Sequence, residues 1–104
     1  MVKTNFYYQK DQIVKVEVSG HSNFDQVGKD IICAGISAIV FGTLNALDNL
    51  VSQQEVKIVE PKTKVIIEVL KPSDNNQMIL QTMFWQLKTI SNQYRKNIII
   101  KEVY

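Results

Sequence analysis

The sequence has few of the residues from which protein sites are usually built. Its 104 residues include one cysteine, one histidine, four glycines and two prolines. A single cysteine cannot form an intramolecular disulfide, so a reducing, cytoplasmic compartment is expected. Without clustered Cys, His and carboxylate residues we expect no metal site, and without a glycine-rich phosphate loop we expect no nucleotide cofactor.

Charge and long apolar runs are also limited. Twelve Lys and Arg residues against ten Asp and Glu give a net charge of +2, with no long basic run, so direct contact with nucleic acid is not expected. The longest apolar run, residues 31–41, is shorter than a membrane span and is interrupted by Gly35 and Ser37. We therefore predict one soluble domain over residues 1–104 with no membrane partner.

The hydrophobic periodicity predicts five strands and two helices. Alternating apolar and polar residues indicate strands at 2–8, 14–19, 54–60, 64–70 and 98–103. Helical spacing indicates helices from 30 to about 50 and from 73–74 to about 94. The order β-β-α-β-β-α-β predicts an α+β fold, in which one layer of helices covers one face of a mixed or antiparallel sheet.

Both predicted helices carry recognisable start signals. Asp30 is the expected N-cap of the first helix, whose first half is apolar nearly all round and is therefore predicted to be buried. Gly35 and Gly42 lie two turns apart and suggest close backbone packing on that side. In the second helix Asp74 and Gln77 have capping-box spacing. Its large apolar residues are expected to form core or a self-association face: Met78, Met83, Phe84 and Trp85.

The cysteine and the histidine lie at the two ends of one polar loop. His21 follows Gly20 at the end of the second predicted strand, and Cys33 lies in the first turn of the first helix. Free backbone amides and the helix dipole favour a thiolate there and offer donors for an oxyanion. His21 is the one imidazole that could act as its base.

Each of these residues also has an ordinary structural interpretation. A lone cysteine in an apolar helix is usually a small core residue, and a histidine beside glycine is often a turn residue. Asp30 is a cap before it is anything else, with orientation of the imidazole as a second role. Ser37, one turn beyond Cys33, is able to hydrogen-bond the sulfur or a carbonyl. The residues alone leave the function open, with a thiol redox sensor disfavoured by the lack of a resolving cysteine.

The two motifs together resemble a known family. Gly20-His21, followed by Gly28-Lys29-Asp30-Ile31-Ile32-Cys33-Ala34-Gly35-Ile36-Ser37-Ala38, is similar to the pattern of the ribosomal-processing cysteine protease family, Prp. That pattern is Gly-His, a short loop, then Gly-x-Asp-Ile-Val-Cys-Ala-Ala-x-Ser. The chain departs from it at Ile32, where the family has valine, and at Gly35, where it often has alanine.

The resemblance implies an endopeptidase that removes the N-terminal extension of large-subunit ribosomal protein twenty-seven. By position, Cys33 would be the nucleophile and His21 the general base, with Asp30 and Ser37 in support. The loop 22–29 would close over an extended peptide, with Gly28 as its hinge, and the protein would be a homodimer. A non-enzymatic module that binds ribosomes or assists their assembly on the same fold is the alternative.

Overall fold

The computed structural model describes residues 1–20 and 30–104 of the chain. Its elements follow the predicted order and confirm the predicted fold class. They are β1 (Val2–Gln9), β2 (Gln12–Ser19), α1 (Asp30–Leu50), β3 (Val56–Val59), β4 (Lys64–Val69), α2 (Asp74–Gln93) and β5 (Ile98–Val103).

The five described strands form one mixed sheet in the order β3-β4-β2-β1-β5. All neighbouring pairs are antiparallel except β1 and β5, which are parallel. A parallel neighbour requires a long crossover, because two strands of the same direction cannot be joined by a tight turn. β5 occupies the edge of the sheet beside β1. The order of the elements along the chain does not determine this position.

The β1–β2 hairpin contains an irregularity that the sequence pattern did not reveal. Lys10 and Asp11 have φ angles of 52° and 64°, the left-handed conformation required in a two-residue hairpin turn. Tyr7 pairs with Lys15, but Tyr8 pairs with Ile13, which leaves Val14 as the extra residue of a bulge. Ile13, and not Val14, is therefore buried. The prediction that buried and exposed side chains alternate from Val14 onward was wrong at Val14 itself.

Both helices cover the same face of the sheet, where the core lies. The buried side chains of the sheet include Val2, Phe6, Val16, Val18, Ile67 and Ile98. From the helices, Ile36, Val40, Leu44, Leu47, Leu80, Met83 and Leu87 complete the core. Their spacing of three and four residues gives each helix one core-facing side.

The expectation that the first half of α1 is buried all round was wrong. Ile31 is 77% exposed and Phe41 is 46% exposed, because α1 lies at the surface of a two-layer structure and has sheet on one side only. By length and composition alone, Ile31–Leu50 is long and apolar enough to cross a bilayer, a property that the shorter apolar run of residues 31–41 did not indicate. Its buried residues nonetheless belong to the hydrophobic core between the helices and the sheet.

The cap of α2 also differs from the prediction by one residue. Ser73 is the N-cap: its hydroxyl accepts from the Asn76 amide (3.2 Å) and its own amide donates to Asn76 Oδ1 (3.0 Å). Gln77 is therefore free for a longer-range role. Its Oε1 accepts from Ile13 N (2.7 Å) and its Nε2 donates to Ile13 O (2.8 Å), which ties α2 to β2 beside the bulge.

Candidate active site

Cys33 lies in the first turn of α1. Its thiol is free and half-buried, and the side chain packs against the edge of the hydrophobic core. The partial positive charge at the N-terminus of a 21-residue helix favours an anion in this turn. The position therefore combines limited solvent access with the N-terminal turn of a long helix.

Gly20 directly follows β2 and has a φ of +77°, a conformation that L side chains rarely adopt. A Cβ atom built on Gly20 would lie 2.6 Å from the Met1 carbonyl oxygen. That oxygen belongs to an anchored peptide, because Val2 N donates to Asn97 O at 2.8 Å. Glycine at this position is thus required by both the backbone conformation and the space.

The remaining predicted site residues are described to different extents. His21 and Gly28 lie outside the described residues. Asp30 is the first residue of α1, but its side chain is not described, so its capping and orienting roles stay predictions. Ser37 is half-buried, one turn beyond Cys33.

Ser37 lies beside a small apolar pocket that the sequence analysis did not find. Val18 of β2, Val65 of β4 and Phe41 of α1 line the pocket together with Ser37. The residues come from three elements, so no sequence pattern would have connected them. The pocket places apolar surface within one helical turn of Cys33.

The C-terminal part of α2 supports the start of α1. A Cβ atom on Gly35 would lie 3.4 Å from Cδ1 of Ile90, an ordinary to slightly tight contact. At Gly42, in contrast, a Cβ atom would meet nothing within 4 Å among the described atoms. The prediction of close backbone packing at both glycines is therefore wrong at Gly42.

Perturbed acid–base behaviour among the described residues lies away from Cys33. On the open face of the sheet, the hydrogen bond from Tyr7 holds the pKa of Glu17 below its usual value. At the β1–β5 edge, burial and Glu102 raise the pKa of Tyr8 to about 12. Residues 1–20 and 30–104 contain no group of three or more His, Cys, Asp or Glu side chains that could hold a metal ion.

Comparison with known proteins connects this arrangement to an enzyme family. The family model described as cysteine protease Prp matches residues 1–99. The chain belongs to the Prp family of cysteine proteases. Its relatives include the ribosomal processing cysteine protease Prp of Staphylococcus aureus, 35% identical over 89 residues and 84% of each chain. The Bacillus subtilis protein of the same name is 30% identical over 92 residues, covering 83% of this chain and 82% of that one.

Solved structures of the S. aureus protease have the same fold. The complex with a substrate peptide superimposes with a TM-score of 0.81 at 28% identity, over 98% of this chain and 99% of that chain. The complex with a covalently linked product peptide gives a TM-score of 0.87 at 30% identity, with the same coverage. This Prp-family protein is a cysteine protease, as the sequence motifs predicted.

Proposed function

We propose that this Prp-family protein removes the N-terminal extension of large-subunit ribosomal protein twenty-seven in the cytoplasm. The observation that carries the proposal is the position of Cys33. A cysteine protease needs a thiolate, Cys33 is the one cysteine of the chain, and it lies in a first helical turn that favours the anion. The names of the relatives, which describe ribosomal processing, support the choice of substrate.

In this proposal Cys33 and His21 perform both halves of the reaction. The Cys33 thiolate attacks the scissile carbonyl carbon, and backbone amides of the helix start stabilise the oxyanion. Collapse of the tetrahedral intermediate breaks the C–N bond, His21 protonates the departing amine, and a thioester remains on Cys33. His21 then takes a proton from water, which hydrolyses the thioester and restores the thiolate.

The supporting residues act through position. Asp30 holds the His21 imidazole in one tautomer, and Ser37 steadies the sulfur or a neighbouring carbonyl. Gly20 and Gly28 bound the loop that closes over the extended peptide.

A cleavage assay tests the proposal. We expect purified protein to cleave a peptide that spans the extension and the first residues of the mature ribosomal protein, but not a scrambled peptide of the same composition. Cys33→Ala and His21→Ala should each lower kcat/KM by about 10³-fold or more. Cleavage by Cys33→Ala at the wild-type rate, or no cleavage by wild type, would refute the proposal and favour the non-enzymatic alternative. Iodoacetamide should label Cys33 rapidly near pH 6, as it does an activated thiolate.

We further propose that the protein is a homodimer that associates through its helix layer. On α2, Met78 and Trp85 are 66% and 65% exposed and lie two turns apart on one face. Beside them runs an open groove of about 430 Å³, lined on the α1 side by small residues that include Ala38, Gly42 and Ala46. Small residues facing protruding ones allow a second copy to pack closely, and exposed aromatic side chains commonly anchor interfaces.

Light scattering coupled to size-exclusion chromatography tests the dimer. A Trp85→Gln variant should weaken association by about 30-fold, the change that corresponds to the loss of a 2 kcal/mol anchor. Leu50→Gln is the matched control, because Leu50 is equally exposed but lies at the far end of α1. A monomeric wild-type protein, or equal weakening by both variants, would contradict this interface.

A further inference from the structure

The side of the sheet that faces away from the helices is basic. Side chains alternate between the two faces of a strand, and seven charged side chains of the five described strands lie on this open side. They are Lys3, Lys15, Lys57, Lys64, Lys101, Glu17 and Glu68. We call this surface the cationic sheet face. Its five lysines and two glutamates give +3, whereas the whole chain has a net charge of +2. The basic excess of the protein is therefore concentrated here.

Two of the five lysines lie directly beside an acidic side chain. Lys15 Nζ lies 3.6 Å from Glu17 Oε2, and Glu17 also accepts a hydrogen bond of 2.6 Å from the Tyr7 hydroxyl. Lys57 pairs across the strands with Glu68. These groups largely neutralise one another.

The other three lysines face uncharged partners across the sheet. Lys64 and Lys3 both pair with Ser19, from opposite sides, and Lys101 pairs with Asn5. All three are exposed. From β4 to β5 they span three interstrand spacings, about 14 Å. Glu17 attracts Lys64 and offsets part of its charge. The three lysines thus form a cationic row whose directly paired neighbours are uncharged.

We propose that the cationic sheet face binds the phosphate backbone of RNA. An extended polyanion with regularly repeated charges suits separate ammonium groups spread over an open sheet, whereas an acidic peptide is usually bound at a sheet edge or in a groove. Lysine side chains are flexible point charges, so they contact phosphate groups and give no preference for the base sequence of the RNA. The sequence-based expectation of no nucleic-acid contact rested on the lack of a basic run, and folding assembles the row from residues 3, 64 and 101.

The interaction is independent of peptide cleavage and is measured by binding alone. Fluorescence anisotropy of a labelled twelve-nucleotide oligouridylate should give a Kd on the order of 10–100 μM at 50 mM salt. Three phosphate contacts on a single strand predict a logarithmic salt slope of about −2, so that affinity falls roughly 18-fold between 50 and 200 mM salt.

Two triple variants of equal net charge locate the surface. Lys3→Gln/Lys64→Gln/Lys101→Gln should lower affinity at 50 mM salt at least tenfold and remove most of the salt dependence. Lys71→Gln/Lys88→Gln/Lys96→Gln removes the same charge from the segment after β4, from α2 and from the segment before β5, and should remain within twofold of wild type. Circular dichroism verifies that both variants are folded.

Three results would overturn the proposal. They are no anisotropy change with wild-type protein up to about 1 mM, equal loss of affinity in the two triple variants, and tighter binding of a labelled glutamate-rich twelve-residue peptide than of the RNA. Selective loss in the first variant supports it.

Discussion

Replacing Gly20 by alanine should destabilise the protein, whereas the same change at Gly42 should stabilise it. Gly20 combines a φ of +77° with a Cβ position 2.6 Å from the anchored Met1 carbonyl. Gly42 lies within α1, and its Cβ position meets no described atom within 4 Å. Both substitutions add one methyl group, but at Gly20 it is strained and crowded, whereas at Gly42 it has free space among the described residues.

The magnitudes follow from separate terms. A left-handed conformation costs a non-glycine residue about 1–2 kcal/mol, and relief of the backbone contact by local shifts costs a further ~1–2 kcal/mol. Gly20→Ala should therefore lower the free energy of unfolding by about 2–4 kcal/mol. Gly42→Ala gains helix propensity worth about 1 kcal/mol. Gly35→Ala should gain slightly less, since its Cβ must accommodate Ile90 Cδ1 at 3.4 Å.

Urea denaturation followed by circular dichroism measures these differences. With a slope of about 1.5–2 kcal/mol/M, the midpoint should fall by about 1–3 M for Gly20→Ala and rise by about 0.5 M for Gly42→Ala. Because Gly20 directly precedes the proposed base His21 in the sequence, Gly20→Ala should also lose most peptide cleavage under conditions in which it remains folded. An unchanged midpoint for Gly20→Ala would refute the reasoning about both conformation and contact.

Two further predictions concern the tie between α2 and β2 and the tyrosine at the β1–β5 edge. Gln77→Ala leaves the buried amide and carbonyl of Ile13 without their side-chain partners. The free energy of unfolding, measured by urea denaturation, should fall by about 2–4 kcal/mol. Gln81→Ala, at an exposed position of the same helix, is the control, and an equal loss in both variants would contradict the role of the Gln77–Ile13 hydrogen bonds. The pKa of Tyr8 is raised to about 12 by burial and Glu102. Because the folded state resists ionisation, stability should be full below pH 10 and decline as pH rises from about 10 to 12. Tyr8→Phe should reduce that decline, and an unaltered pH profile would exclude Tyr8 as its source.

Much of the candidate site could be predicted from short segments of the sequence. Cys33 was expected in a first helical turn and Gly20 at a strand end because periodicity and glycine placement are properties of short segments, and both positions were confirmed. The helix-start motif around Cys33, together with Gly20-His21, was specific enough to indicate the family, which the comparisons established. The roles of Cys33, His21, Asp30, Ser37 and Gly28 remain predictions for the cleavage assay.

By itself the sequence determined the element order, the two helices and the core-facing side of most strands, because hydrophobic periodicity follows directly from backbone geometry. Tertiary structure decided what depends on contacts between distant segments. It placed β5 beside β1, shifted the start of β2 by a bulge, and turned Gln77 from a predicted capping residue into a tie to Ile13. It also left Ile31 and Trp85 exposed on a helix layer that has sheet on one side only. For the same reason the lysines of the cationic sheet face, dispersed along the chain, come together only in the folded sheet.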